Sequence, residues 1–228
     1  MSKLSSGSEI NSAADDPSGL VISEQMRSQI GSIAQKIVNL DTLLDKNNTA
    51  DSHLVEMEDA LIEMREMAVA ATSTGSVDDN MVSAYENALN DSASAFNKLA
   101  DESVFGRQKL FDGSEGSVAN IADLESFDLS DPEAAENAVS LIDEKLAEIQ
   151  GIHGQLGARS AHELQAMRDN LAVTHSNLTA AESNIRDADI ALMQSQFVSQ
   201  KLRMQGATAL LAQGHLLSKS VFGLLVGS

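Results

Sequence analysis

Apolar residues recur along this chain at intervals of three and four, the spacing of one face of an α-helix. Ile30, Ile33, Ile37, Leu40 and Leu44 follow it first, and Leu54, Met57, Leu61, Met64 and Ala68 resume it in a shifted frame. The polar stretch from Asp45 to His53 is therefore expected to absorb the shift, as a stutter or a local irregularity. Val82, Tyr85, Leu89, Phe96 and Leu99 mark a second, shorter helix opened by Asp78-Asp79. A third series runs through Val139, Ile142, Leu146, Ile149, Leu156, Met167, Leu171, Leu178, Ala181 and Ile185.

Both prolines follow an aspartate, at Asp16-Pro17 and Asp131-Pro132. Asp at N-cap accepts a bond from the first free N–H groups, and Pro at N1 gives up an N–H that would be unpaired there anyway, so each pair starts a helix. From the first, few breakers appear until Ser73-Thr74-Gly75-Ser76, which predicts a helix of about 55 residues, or ~80 Å. Two long helices with a short one between predict an all-α fold. We expect an elongated antiparallel bundle of coiled-coil-like helices, with a short extended or β-hairpin arm and a C-terminal amphipathic helix. The expected division is a remnant segment 1–15, a bundle 16–189 and a tail helix 190–228. Within the bundle, a long helix spans 16–72, a short one 78–100, the arm and an acidic tip 101–130, and a second long helix 131–189.

The tail repeats the helical spacing through Ile190, Met193, Phe197, Met204, Ala207, Leu211, Leu217, Val221 and Leu224, and beyond Arg203 its only full charge is Lys219. Gln205, Gln213, His215 and Lys219 interrupt it, so no run long enough for a membrane span exists. Such a helix must bury its face against something, which predicts self-association or a chaperone.

Charge changes the picture at two places. The 228 residues carry 15 Lys+Arg against 34 Asp+Glu, a net charge of -19, which opposes binding to nucleic acid and to anionic membranes. From Arg186 onward four basic and two acidic residues leave 11 and 32 before it, so the tail is weakly positive and the rest strongly negative. Between Lys109 and Lys145 ten acidic residues occur with no basic one, and this block reads as a solvated, outward-facing region. The absence of cysteine removes disulfides and thiol chemistry, and no apolar signal segment follows Met1.

Candidate chemistry is sparse. His53, His153, His162, His175 and His215 form no metal-ligand motif. Gly151, Gly154 and Gly157 do not follow a strand and read as sites of close helix approach or bending. Asp187-Ala188-Asp189 opens like a calcium loop, but Leu192 stands where glycine is needed, so it reads as a polar turn on a helix face. No catalytic residue, metal or cofactor is expected, and the chain is not expected to be an enzyme.

Two terminal segments carry a resemblance. The first runs Leu4-Ser5-Ser6-Gly7, Ile10-Asn11-Ser12-Ala13-Ala14-Asp15-Asp16 and Ile22-Ser23-Glu24-Gln25-Met26-Arg27. The second runs Asn177-Leu178-Thr179-Ala180-Ala181-Glu182-Ser183-Asn184-Ile185-Arg186-Asp187-Ala188-Asp189 and Gln205-Gly206-Ala207-Thr208-Ala209-Leu210-Leu211. Together with Phe105-Gly106-Arg107-Gln108-Lys109-Leu110-Phe111-Asp112-Gly113, they resemble bacterial flagellin in a minimal form without large outer domains. The resemblance implies a structural subunit of the extracellular flagellar filament, exported unfolded by the flagellar machinery and joined to other copies of itself through terminal helices.

It also implies an export chaperone on the C-terminal helix, with Phe197, Met204, Leu211, Leu217, Val221 and Leu224 as assembly and chaperone residues. A flagellin-sensing Toll-like receptor would face Glu63, Arg65, Glu66 and Met67, although Glu63 stands where many members carry arginine, and that reversal opposes recognition. Only three residues precede Leu4, so the N-terminal inner helix is expected to be largely missing. Alternatives are a hook–filament junction protein of the same superfamily, which Asp15-Asp16-Pro17 suits, or a secreted, non-polymerising binding module.

Overall fold

The computed structural model describes residues 6–72 and 78–226, with side chains as far as His215. The helix break at Ser73–Ser76 and the start of the Leu4 motif lie outside the described residues. The elements are α1 (Pro17–Ala71), α2 (Asp79–Glu102), β1 (Val104–Phe105), β2 (Gln108–Lys109), α3 (Pro132–Ala158), a π-helical segment (Arg159–Leu164), α4 (Gln165–Arg186) and α5 (Ile190–Val226). The fold is all-α apart from the small antiparallel hairpin, in which Val104 pairs with Lys109 and Phe105 with Gln108. The capping aspartates act as the sequence predicts. Asp131 accepts from Ala134 N–H with Pro132 in the first turn, Asp78 from Met81 N–H, and Asp16 from Ser18 N–H.

The chain forms two compact units, residues 35–172 and residues 1–34 with 173–228. In the first, buried positions of α1 fall in two rows spaced by seven. One row is Leu40, Asn47, Leu54, Leu61 and Ala68; the other is Ala50, Met57, Met64 and Ala71. The expected frame shift therefore does not occur. Asn47 fills a seam position that a count of apolar residues passes over, and its amide donates to Ser160 Oγ at 2.9 Å. A buried Asn that must meet one partner fixes helix register, as in coiled coils. Beside it the buried Lys46 ammonium donates to Gln108 Oε1 at 3.0 Å and to the Gly116 carbonyl, tying α1 to the loop after the hairpin.

The hairpin turns on Gly106 (φ 66), whose left-handed backbone at the first turn position suits a two-residue hairpin loop. Beyond it the chain doubles back: Val118 N–H donates to Leu110 C=O at 2.7 Å and Ile121 N–H to Phe111 C=O at 3.0 Å. Residues 121–129 then run as an extended strap along α2. Asn97 donates to Leu124 C=O and accepts from Leu124 N–H, each at 2.8 Å. Asn90 does the same to Phe127, at 3.0 and 2.7 Å, and Glu86 accepts from Leu129 N–H at 3.2 Å. Side-chain amides thus pair with the strap as a neighbouring strand would. The register closes because the eleven-residue step from Asn97 to Glu86 and the five-residue step from Leu124 to Leu129 each cover ~16.5 Å.

This corrects the reading of the acidic block. Its carboxylates, including Asp112, Asp123, Glu125 and Asp128, are exposed as expected, but Leu110, Phe111, Ile121, Phe127 and Leu129 between and beside them are core. They close over Leu54, Leu61, Leu89, Phe96, Ile142 and Ile149.

The second long helix is also not one α-helix. Leu156, Ser160 and Leu164 lie four apart and turn inward, a spacing that overshoots the 3.6-residue α turn, and the wider π turn takes up the excess. Gly151, Gly154 and Gly157 are not close-approach sites, since a Cβ at any of them would meet nothing within 4 Å.

In the other unit, residues 6–16 fold onto the ends of α4 and α1. Asp15 gathers the N–H groups of Asn11 and Ser12, Glu9 N–H donates to Arg186 C=O at 2.7 Å, and Ala188 N–H donates to Gly7 C=O at 3.1 Å. Ile10 is buried over Gly19, where a Cβ would approach Ile10 Cδ1 to 2.6 Å. Asp187–Asp189 breaks the helix instead of forming a polar turn on its face. Asp187 bridges to Ser8, and Asp189 caps α5 by accepting from Leu192 N–H at 2.9 Å.

Candidate functional site

Two exposed surfaces carry the residues singled out from the sequence. On α1, Met64 and Ala68 point into the core, which turns Glu63, Arg65 and Glu66 outward and leaves Met67 half-buried against the core cluster. Arg65 is not free. Its Nε and Nη2 donate to the two carboxylate oxygens of Asp143 on α3, at 2.6 and 3.4 Å, and this pairing raises the guanidinium pKa further above its ordinary range. Asp143 was not legible as a partner, because 78 residues separate it from Arg65 and no motif marks it.

The second surface is α5. Of its predicted residues, Phe197 is half-buried, while Met204 and Leu211 are each 65% exposed. The side chains of Leu217, Val221 and Leu224 lie outside the described residues. Leu192, Leu202 and Leu210 are exposed as well, at 55%, 61% and 69%, so apolar side chains project all round the helix and not from one face as an amphipathic helix would have them. The spacing rule missed these because it follows a single stripe. A helix apolar on every side belongs inside a larger body. No described helix is long and apolar enough to cross a membrane.

At the root of α5, Arg186 donates to Glu24 at 2.7 Å, and Arg27 reaches the same oxygen at 3.2 Å. The Arg186 bond, with Arg27 in support, holds the Glu24 carboxyl below the usual glutamate range. His153 on α3 lies between Asp51 (2.9 Å) and Glu58 (3.3 Å) of α1 and ties the two helices together. Among the described residues no three His, Cys, Asp or Glu side chains converge as metal ligands.

A chain that leaves a whole apolar helix exposed at the end of a well-capped bundle is built as a subunit of an assembly. Residues 1–116 match the bacterial flagellin N-terminal helical region, and residues 139–225 match the bacterial flagellin C-terminal helical region. The chain belongs to the bacterial flagellin family. It is 33% identical to a flagellin of Halalkalibacterium halodurans, over 99% of this chain and 90% of that one. It is 30% identical to the flagellar filament 33 kDa core protein of Treponema phagedenis (99% and 91%), and 27% identical to a flagellin of Bacillus subtilis (99% and 91%). It is a structural subunit of the extracellular flagellar filament and assembles with copies of itself.

Proposed function

We propose that α5 is the element through which copies join in the filament and that the same helix is held by an export chaperone beforehand. The observation that carries this is the exposure of Leu202, Met204, Leu210 and Leu211 on different sides of one helix, a surface stable in water only once covered. Passage through the flagellar export machinery as an unfolded chain suits a protein with no cysteine to cross-link and helices that form from local contacts. Leu211→Asp tests the assembly role. A carboxylate buried without a partner costs several kcal/mol, so the critical concentration seen by sedimentation and electron microscopy rises at least about a hundredfold, while the bundle keeps its helical signal. Filaments at the parental concentration would refute it. A pull-down with the cognate chaperone, lost on deleting 190–228, tests the second role; binding that survives would exclude α5.

For the flagellin-sensing receptor, the reading is weak engagement. Glu63 presents the wrong charge, and the Nε edge of Arg65 is already held by Asp143. Glu63→Arg is expected to raise the response in a receptor reporter assay; an unchanged response would remove Glu63 from the account.

A further inference from the structure

The unit of residues 35–172 leaves one groove and one ridge uncovered. The groove runs between α1 and the π-segment with α4, around a space of about 790 Å3. Leu40, Leu43, Met167 and Leu171 form its apolar floor, and Lys36 and His162 stand on its rim. Every lining residue belongs to these elements, so the groove is a two-helix trough at the place where a bundle would lay a third helix. Arg168 holds its two sides together by donating to Asp41 at 2.6 Å. Leu43 and Met167 remain 42% and 50% exposed.

The ridge is on α1. Val55, Asp59, Ile62, Glu66 and Val69 follow one another by four, three, four and three, which keeps all five within about 40° of one line on the helix. Its three aliphatic residues are 42–44% exposed although each is β-branched and apolar. Asp59 and Glu66 between them have no ionic partner among the described residues, and neither do Lys36 and His162 on the groove. An aliphatic ridge studded with carboxylates is the complement of an apolar trough with a cationic rim. In a chain of net charge -19, copies repel one another, and contacts between them must spend the few available cations opposite carboxylates.

We propose that the Val55–Val69 ridge of one copy seats in the α1/α4 groove of a second copy, with Asp59 and Glu66 facing Lys36 and His162. The two surfaces differ, so the contact is heterologous. It leaves a free groove at one end and a free ridge at the other, and repeats into an open polymer instead of closing as a dimer. The ridge is ~21 Å long and the groove ~10–14 Å, so about two turns centred on Ile62 are engaged. This rests on the reading of the chain as a filament subunit and adds which surfaces of the bundle meet, beside the role of α5.

The cysteine-free sequence permits a direct test with the full chain. Leu43→Cys and Ile62→Cys lie 19 residues apart on one helix, ~28 Å, far beyond the roughly 7 Å limit for a disulfide, so they cannot bridge within a copy. Oxidised filaments of the double variant are expected to give a ladder on a non-reducing gel, with neither single variant doing so. Filaments without a ladder would overturn the inference alone; a parental chain that forms no filaments even when seeded would overturn the filament reading and this with it. Dimers from one single variant would mean an isologous contact and would also overturn it. Cross-linking of Leu43→Cys with Leu210→Cys in its place would give the groove to α5. As a second readout, Lys36→Glu is expected to raise the critical concentration at least tenfold and Lys36→Glu with Glu66→Lys to restore it, the helical signal being unchanged throughout. Failure of the double variant to restore assembly would overturn the charge pairing.

Discussion

Replacing Asn97 by alanine removes, in one change, the acceptor of Leu124 N–H and the donor to Leu124 C=O. A neutral hydrogen bond contributes about 0.5–1.5 kcal/mol net, and a buried group left unpaired costs about 1–3. Leu124 is only half-buried, so water reaches the freed groups, and Asn97→Ala is expected to cost about 2 kcal/mol. Asn90→Ala frees the backbone of Phe127, which is 7% exposed, and belongs nearer about 3 kcal/mol. The double variant should cost less than the two together, because a strap released at one clamp has already lost much of the other. Asn97→Asp keeps the acceptor, loses the donor and sets a carboxylate against the Leu124 carbonyl, so it should be at least as damaging as alanine. Denaturant unfolding followed by circular dichroism gives the energies, and amide exchange at Leu124 locates them, with about a thirtyfold acceleration expected for 2 kcal/mol. An Asn97→Ala chain within about 0.5 kcal/mol of the parent, with Leu124 exchange unchanged, would refute the clamp.

The two classes of glycine should respond oppositely. Gly19→Ala drives a methyl into Ile10 and is expected to cost about 1–3 kcal/mol, whereas Gly154→Ala meets open space and should stabilise by about 0.5–1 kcal/mol; thermal melts of the two variants decide. Acid should loosen the root of α5. The Glu24 carboxyl is held low by Arg186 and then Arg27, so its contribution is complete above the ordinary value of 4.5 and is lost as pH falls through the lowered one. Glu24→Gln should flatten that part of the melting profile below pH 4.5, and an unaltered profile would exclude the pair as the acid-sensitive contact.

Helix starts were legible because an Asp cap and a following Pro act over three or four residues, within reach of a local pattern. The seam of α1 was legible only in part. Asn47 is polar and was passed over, though its buried amide is what keeps the heptad frame continuous. The strap was not legible, since its apolar residues are thinned by exposed carboxylates and its partners, Asn90 and Asn97, lie 37 and 27 residues away with no propensity to advertise them. The π turn and the break at Asp187–Asp189 follow from tertiary contacts with Asn47 and Ser8, which no local periodicity contains. On the site, spacing found Phe197, Met204 and Leu211 but not Leu192, Leu202 and Leu210, because the all-round character of α5 is a property of its missing neighbours and not of one stripe.

The strap and α2 act as a vernier. One scale is graduated at ~1.5 Å and the other at ~3.3 Å, and they coincide where seven helical residues meet three extended ones and again where four meet two. A deletion of one residue between Leu124 and Phe127 cannot be absorbed, because it moves the next mark by a full extended step and turns Phe127 from core to solvent. An insertion at the turn between Gly113 and Gly116, before the first mark, leaves every later coincidence in place. Length is thus free on one side of Ile121 and quantised on the other.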